Sequence, residues 1–208
     1  DAKAFRIRAR AIRFSADSRW LGITADPTGD ENTRIYAGAV EGPGTELREL
    51  MPAPRSVAHF AEAVDASSDF IVTSNQRDKK VFDLYRVNPA GGPPVLMATN
   101  PGNVNWWGVD TKGQLRARAQ IQGEQVLLER PGTAQGTWVT VAERSRWDTL
   151  NIFGLHDEGR KAWALSNRGR DKLALVRLDL TTGAEEEWFA SPDVDLDHVT
   201  LIRRTREP

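Results

Sequence analysis

Apolar and polar residues alternate along most of the chain in short runs such as Val104 to Val109, Gln125 to Arg130, Leu150 to Leu155 and Leu173 to Leu180. A period of two places successive side chains on opposite faces, as in a β-strand. Clusters of Gly, Pro, Asn and Asp break the runs, as turns do. No stretch carries a convincing helical period, so the pattern predicts an all-β chain.

The runs repeat. Phe14 to Asp26, Val64 to Asn75, Val109 to Ala119 and Leu155 to Asn167 each read as an apolar residue, a short polar turn and an alternating strand. Aligning their turns on Ser18, Ser68, Gly113 and Gly159 gives spacings of 50, 45 and 46 residues. A second strand follows in each unit, at 33–40, 82–88, 125–130 and 173–180, then a Gly-rich turn at 41–44, 89–92, 131–133 and 181–183. A closing strand is expected at 46–50, 95–98, 137–142 and 186–190, and one more short strand precedes each polar turn. Four antiparallel strands about every 46 residues is the grammar of a β-propeller blade.

The expected fold is therefore a β-propeller of about four four-stranded blades within one region, 1–208, with units near 5–50, 51–99, 100–143 and 144–191. Residues 192–208 read as the start of a next strand or blade, and the whole as a fragment of a larger propeller. Trp20, Phe70, Leu115 and Trp163 are expected to pack between blades, and Trp107, Trp138 and Trp188 likewise. A solenoid or a pair of β-sandwiches would also use short strands, but explains the even spacing less well. Four blades cut from a larger ring would leave apolar faces near Phe14, Trp20, Trp163 and Trp188 partly uncovered, so self-association through the terminal blades is expected.

Composition narrows the chemistry. Twenty-eight basic residues stand against 29 acidic ones, without the basic excess typical of a nucleic-acid binder. No apolar run approaches the roughly 18–20 residues of a membrane span. The chain has no cysteine, which removes disulfides, thiolate metal sites and a cysteine nucleophile. Composition does not separate a cytoplasmic from a periplasmic location.

The turn Ser15-Ala-Asp-Ser-Arg-Trp-Leu21 is similar to the Ser-Pro-Asp-Gly-Arg-aromatic-Leu turn of the TolB-type propeller repeat, with Ala16 and Ser18 in place of Pro and Gly. Residues 165–183, LSNRGRDKLALVRLDLTTG, resemble a blade of bacterial members of the prolyl oligopeptidase family of serine peptidases, and 74–87, SNQRDKKVFDLYRV, is a second copy of that pattern. The resemblance covers roughly residues 12–190. It implies a propeller that sits over an α/β-hydrolase domain and screens access to its active site. The Gly-x-Ser-x-Gly nucleophile elbow of such a domain is missing from this sequence, so a catalytic domain is expected only beyond Pro208.

The remaining constellations read as structural. Histidines 59, 156 and 198 lie near no elbow and lack the spacing of a zinc site; His156 is expected in a solvated turn. Asp193-Val-Asp-Leu-Asp197 puts three carboxylates on one side of an extended chain, read as a strand with a solvated acidic face; at the sixth and twelfth places of a calcium loop it has His198 and Arg204 instead of Gly and Glu. Asp26 to Asn32 reads as a polar loop. Dipeptidyl peptidases of the resembled family hold a substrate's amino terminus with paired glutamates on a helical insertion; Glu185-Glu-Glu187 enters a closing strand, and that role is not carried over.

Two features remain as candidates for binding. The loops Asn75 to Asp78 and Asn167 to Asp171 share one place in the blade, with Asn and Asp suited to bond local backbone groups. Arg77, Arg168 and Arg170 are then expected to point outward, toward carboxylates of a substrate or a neighbouring domain. In Trp106-Trp107 one ring should pack inward and Trp106 is available for contact; Trp147 holds a similar place one unit later, after Arg144-Ser-Arg146. No catalytic residue, metal ligand or cofactor is expected. The function implied is a non-catalytic propeller region that gates and orients peptides for a hydrolase domain absent from this chain. The alternative is a stand-alone TolB-like propeller that binds protein partners.

Overall fold

The computed structural model describes residues 9–42, 46–202 and 205–208. Residues 5–8 of the first repeat, Pro43 and Gly44 of the first Gly-rich turn, and Arg204 lie outside the described residues. The rest forms four four-stranded antiparallel sheets, each an up-and-down meander with strands in chain order. The first sheet holds β1 (Ala9–Phe14), β2 (Trp20–Ala25), β3 (Arg34–Ala39) and β4 (Arg48–Glu49). The second holds β5 (Ala58–Ala63), β6 (Phe70–Ser74), β7 (Asp83–Val87) and β8 (Val95–Ala98). The third holds β9 (Val104–Val109), β10 (Leu115–Gln122), β11 (Gln125–Pro131) and β12 (Trp138–Ser145). The fourth holds β13 (Leu150–His156), β14 (Lys161–Ser166), β15 (Ala174–Asp179) and β16 (Glu185–Phe189). The helical content of the described residues is a single 3-10 turn, Asp157–Gly159. These are four propeller blades.

The chain divides into two compact units, one with the first two sheets and residues 111–113, the other with the last two sheets and the C-terminal segment. In the first, Ile35, Ala37, Phe70, Val72, Tyr85 and Val87 form a buried cluster with Trp20 and Phe60 packed on it. Ile71 between Phe70 and Val72 is fully buried too, so β6 is covered on both faces. That is why its sequence reads as a near-continuous apolar run instead of an alternating one. At the far end of these sheets Ser68 donates to Asp17 across 2.5 Å and ties the two first turns together. Hydrogen bonds from the Ser15 and Ser68 hydroxyls hold the Asp17 carboxyl down at about 2.

The turns that define the repeat have a shared backbone cause. Ser18, Gly113 and Gly159 all adopt left-handed φ, at 59°, 76° and 79°. This conformation suits glycine and costs an L-residue about 1 kcal/mol. In the second repeat the left-handed residue is Ala66, at 53°, so the aligned Ser68 is offset from the geometric equivalent by two positions.

In the second unit, Ala117, Leu128, Leu155, Ala162, Leu178 and Leu180 form the core between the third and fourth sheets, with Trp106 packed against it. Trp107 is buried and meets Trp138 at 6.4 Å. A further cluster of Trp163, Leu165 and Leu175 is covered by Phe153, Leu196, Val199 and Leu201. Residues 193–197 are therefore not the acidic strand expected from their alternation. The Asp195 carboxylate caps the Leu173 N–H at 2.6 Å, the Leu196 N–H donates to the Leu173 carbonyl, and the apolar residues turn onto the sheet. The Trp163 indole donates to the Arg206 carbonyl at 2.7 Å. With 3 % of its surface exposed, Trp163 is not left uncovered. Trp188, expected to pack between blades, is 56 % exposed and meets Trp163 only edge-on.

Candidate functional site

Within each sheet the strands alternate in direction, so the β2–β3 and β6–β7 loops share one end of their sheets with the β4–β5 crossover. In the second unit the β10–β11 and β14–β15 loops share one end with the β12–β13 crossover. Backbone staples hold these loops. The Asn75 side-chain oxygen accepts the Val57 N–H at 2.6 Å and its amide donates to the Lys79 carbonyl. Asn167 accepts the Thr149 N–H at 2.8 Å. Ser74 and Ser166, both fully buried, accept the N–H groups of Gln76 and Arg168. The repeated Ser-Asn pair thus ties each loop to the strand crossover that enters its blade.

The arginines of these loops part company. Arg77 stays 41% exposed but is already engaged. Its guanidinium turns back onto Asp83 with two bonds of 2.5 and 2.9 Å and reaches the Asn100 carbonyl at 3.2 Å. The Asp83 side chain is wholly buried, and a charge there is tolerable only when paired. Burial alone would raise its carboxyl, but the Arg77 fork and the Asn100 N–H outweigh it and hold Asp83 below the usual range. Arg170 lies 3.5 Å from Glu187. Arg168 is exposed and makes no ion pair among the described residues.

At the loop end of the second unit lies a recess of about 520 Å³. Trp106 at the start of β9, Ala119, Val126, Leu150 and Ile152 give it apolar walls, and Asn105, Arg146, Asp148 and Asn151 a polar rim. Beneath one side runs a buried network. Arg144 donates to Glu185 at 2.6 Å and to Ser166 at 2.9 Å, and the Ser166 hydroxyl donates to Glu185 at 2.7 Å. Burial pulls the Arg144 guanidinium below its usual range, and Glu185 partly restores it. No local pattern marks this pair, whose members lie 41 residues apart. The other two glutamates of the run are also engaged, Glu186 by Arg177 and Glu187 by Arg170.

Trp147, between the lining residues Arg146 and Asp148 in the chain, has 76 % of its surface exposed. Its indole donates to Glu124 at 3.0 Å, and the Arg146 guanidinium lies 5.4 Å from the ring centre. The histidines take no part. His59 packs on Phe82 and burial lowers its pKa. His156, expected in solvent, stacks on Trp163 at 5.3 Å with burial again lowering its pKa. His198 meets Thr200 in an exposed segment. In the first unit Asp26 accepts the N–H groups of Gly29 and Glu31, closing the β2–β3 loop on itself. Among the described residues no three His, Asp or Glu side chains gather to hold a metal ion, and no helix is long and apolar enough to cross a membrane.

No family model matches the chain. It is 27% identical over 183 residues to dipeptidyl aminopeptidase BIII of Pseudoxanthomonas mexicana, covering 84% of this chain and 26% of that protein. The likeness is to the propeller region of a prolyl oligopeptidase-family peptidase. The chain spans about a quarter of the length of that curated relative. Solved structures share the fold. A puromycin-hydrolyzing peptidase of Mycobacterium tuberculosis superposes with a TM-score of 0.59 at 16% identity, over 88% of this chain and 30% of the other. A TolB protein of Agrobacterium tumefaciens superposes with a TM-score of 0.61 at 16% identity, over 87% of this chain and 61% of that one. The propeller is thus similar both to peptidase propellers and to TolB.

Proposed function

We propose that this chain is the non-catalytic propeller region of a serine peptidase, which screens and orients peptides for an α/β-hydrolase domain on the same polypeptide. The observation that carries the reading is the 183-residue likeness to a dipeptidyl aminopeptidase, confined to about a quarter of that protein. The chain's own residues supply no nucleophile elbow. Its loop ends instead carry stapled backbone with side chains suited to contact. Of the candidate contact residues, Arg168 is the one left for a carboxylate of a peptide or of the adjoining domain. Arg77 and Arg170 chiefly position their loops, and Trp106 offers a ring to the recess.

The test begins with the reading frame beyond Pro208, which should encode Gly-x-Ser-x-Gly followed by Asp and His. The longer polypeptide is then assayed on short peptides and on unfolded proteins, with and without the propeller. Removal should admit large substrates and lower kcat/KM on short ones. A reading frame without the elbow would overturn the proposal in favour of the second reading, a TolB-like propeller that binds protein partners. The superposition on TolB, with the larger share of that chain covered, favours this second reading.

A further inference from the structure

We propose that the recess between the third and fourth sheets is a binding pocket for an aromatic side chain of an extended peptide, with Trp106 as its apolar platform and Trp147 at its rim. The inference deepens the peptide-screening reading and takes the class of ligand from it.

The recess has the size of a ligand pocket, about 520 Å³, within the roughly 300–1,000 Å³ usual for such sites. Its walls divide by chemistry. Trp106, Leu150 and Ile152 offer apolar contact, while Asn105, Asn151 and Asp148 stand around it with groups that can bond peptide N–H and C=O. Charge argues for an uncharged occupant. Arg144 is already neutralised by Glu185 and is almost wholly buried, and Arg146 and Asp148 offset each other on the rim.

The two indoles are held in place before any ligand arrives. Gly108, two residues along β9, has no Cβ, and one built there would lie 2.4 Å from the Trp106 Cη2 atom. Gly108 is not in the left-handed region, so its smallness serves the ring and not the backbone. Trp106 also packs on the core of the unit, which fixes the ring while leaving it partly exposed. Trp147 sits between two lining residues, Arg146 and Asp148, and is anchored to Glu124 although three-quarters exposed. A large exposed ring fixed in advance gives contact area at low entropic cost, the property that makes tryptophan a frequent binding anchor.

The experiment uses the whole 208-residue chain with 15N-labelled indoles, whose seven N–H signals are followed by NMR during titration with capped Gly-Phe-Gly and, separately, capped Gly-Ala-Gly. The Phe peptide should give saturable shifts of the Trp106 and Trp147 indoles, and the Ala peptide at least about tenfold weaker binding. Trp147→Ala, at an exposed position where folding is unaffected, should weaken the Phe peptide by about threefold to tenfold. Trp106→Leu should weaken it further, and Gly108→Ala, which displaces the Trp106 ring, should weaken it as well. Trp188→Ala should change nothing. Equal affinity for the two peptides, or unchanged affinity in Trp147→Ala and in a folded Trp106→Leu, would overturn the proposal. No hydrolase domain is needed, so a negative result here leaves peptide screening standing, and a negative result in the hydrolysis assay leaves aromatic binding in the recess standing.

Discussion

Replacing Arg144 by Met should be among the most damaging single changes in the second unit. The side chains of Arg144 and Glu185 are only 2% and 8% exposed and meet at 2.6 Å, and each also bonds Ser166. Removing the cation leaves a carboxylate in a site with little access to water, and breaking one partner out of such a pair costs about 3–5 kcal/mol. At about 2–4 °C per kcal/mol for a chain of this size, the midpoint should fall by roughly 6–20 °C. The double replacement Arg144→Met with Glu185→Leu removes both charges and should recover most of the loss, because a matched apolar pair can equal or exceed a buried ion pair. Glu185→Gln, which keeps the shape and one acceptor, should fall between. Calorimetry with a double-mutant cycle reads all three, and separates the second unit's transition if the units melt apart. A single replacement within about 1 kcal/mol of the parent would mean that water or another group replaces the missing charge. A double replacement as damaging as the single would mean that packing, not charge, is what Arg144 supplies.

Three further outcomes follow from named contacts. Asp83, whose carboxyl sits below its ordinary value, contributes stability that is present above pH 3.8 and is lost as pH falls through the lowered value; Asp83→Asn should flatten the acid limb of a pH–stability curve in that window and lower stability at neutral pH. Ser68→Ala removes the hydrogen bond that joins the first two sheets at Asp17, so the Asp17 carboxyl, titrated by NMR, should rise from about 2 toward 3.8 with a stability loss of about 1 kcal/mol. Deleting residues 192–208 strips Leu196, Val199 and Leu201 from Trp163, so tryptophan emission should shift to the red and sedimentation should become concentration-dependent, while a monomer with unchanged emission would show that the segment does not shield that face.

The repeat was legible in the sequence because its turns are dictated locally. Positive φ at Ser18, Gly113 and Gly159 demands small or polar residues at fixed offsets, and alternation then reports the strands on either side. The same logic misled at residues 193–197. A period of two records only that alternate residues are apolar; it does not say whether they face a neighbouring strand or fold back on a sheet already formed. His156 was misjudged for a related reason. Its place beside a turn suggested solvent, but cross-strand neighbours decide burial, and Trp163 lies near its face. The Arg144–Glu185 pair was invisible because its register depends on two outer strands of different blades, a relation no local pattern encodes.

The loop motif shows how structural and functional signals share one stretch of chain. In both copies the Ser-Asn pair spends its side chains on backbone groups of the loop and of the crossover, so its recurrence reports blade construction. What differs between the copies is the arginine that follows. In the second blade a buried Asp83, paired in register with Ser74, engages the guanidinium of Arg77, whose side chain stays partly exposed. In the fourth blade the position opposite Ser166 is Ala174, which offers no carboxylate, and the cation that reaches Ser166 comes instead from the third blade as Arg144. Arg168 is thereby released from any structural pairing that the loop itself could impose. A repeated motif therefore points to function where its copies diverge: Arg168, which lies in the loop beyond the Ser166–Ala174 pair and makes no ion pair among the described residues, is the loop cation to test first under the peptide-screening proposal.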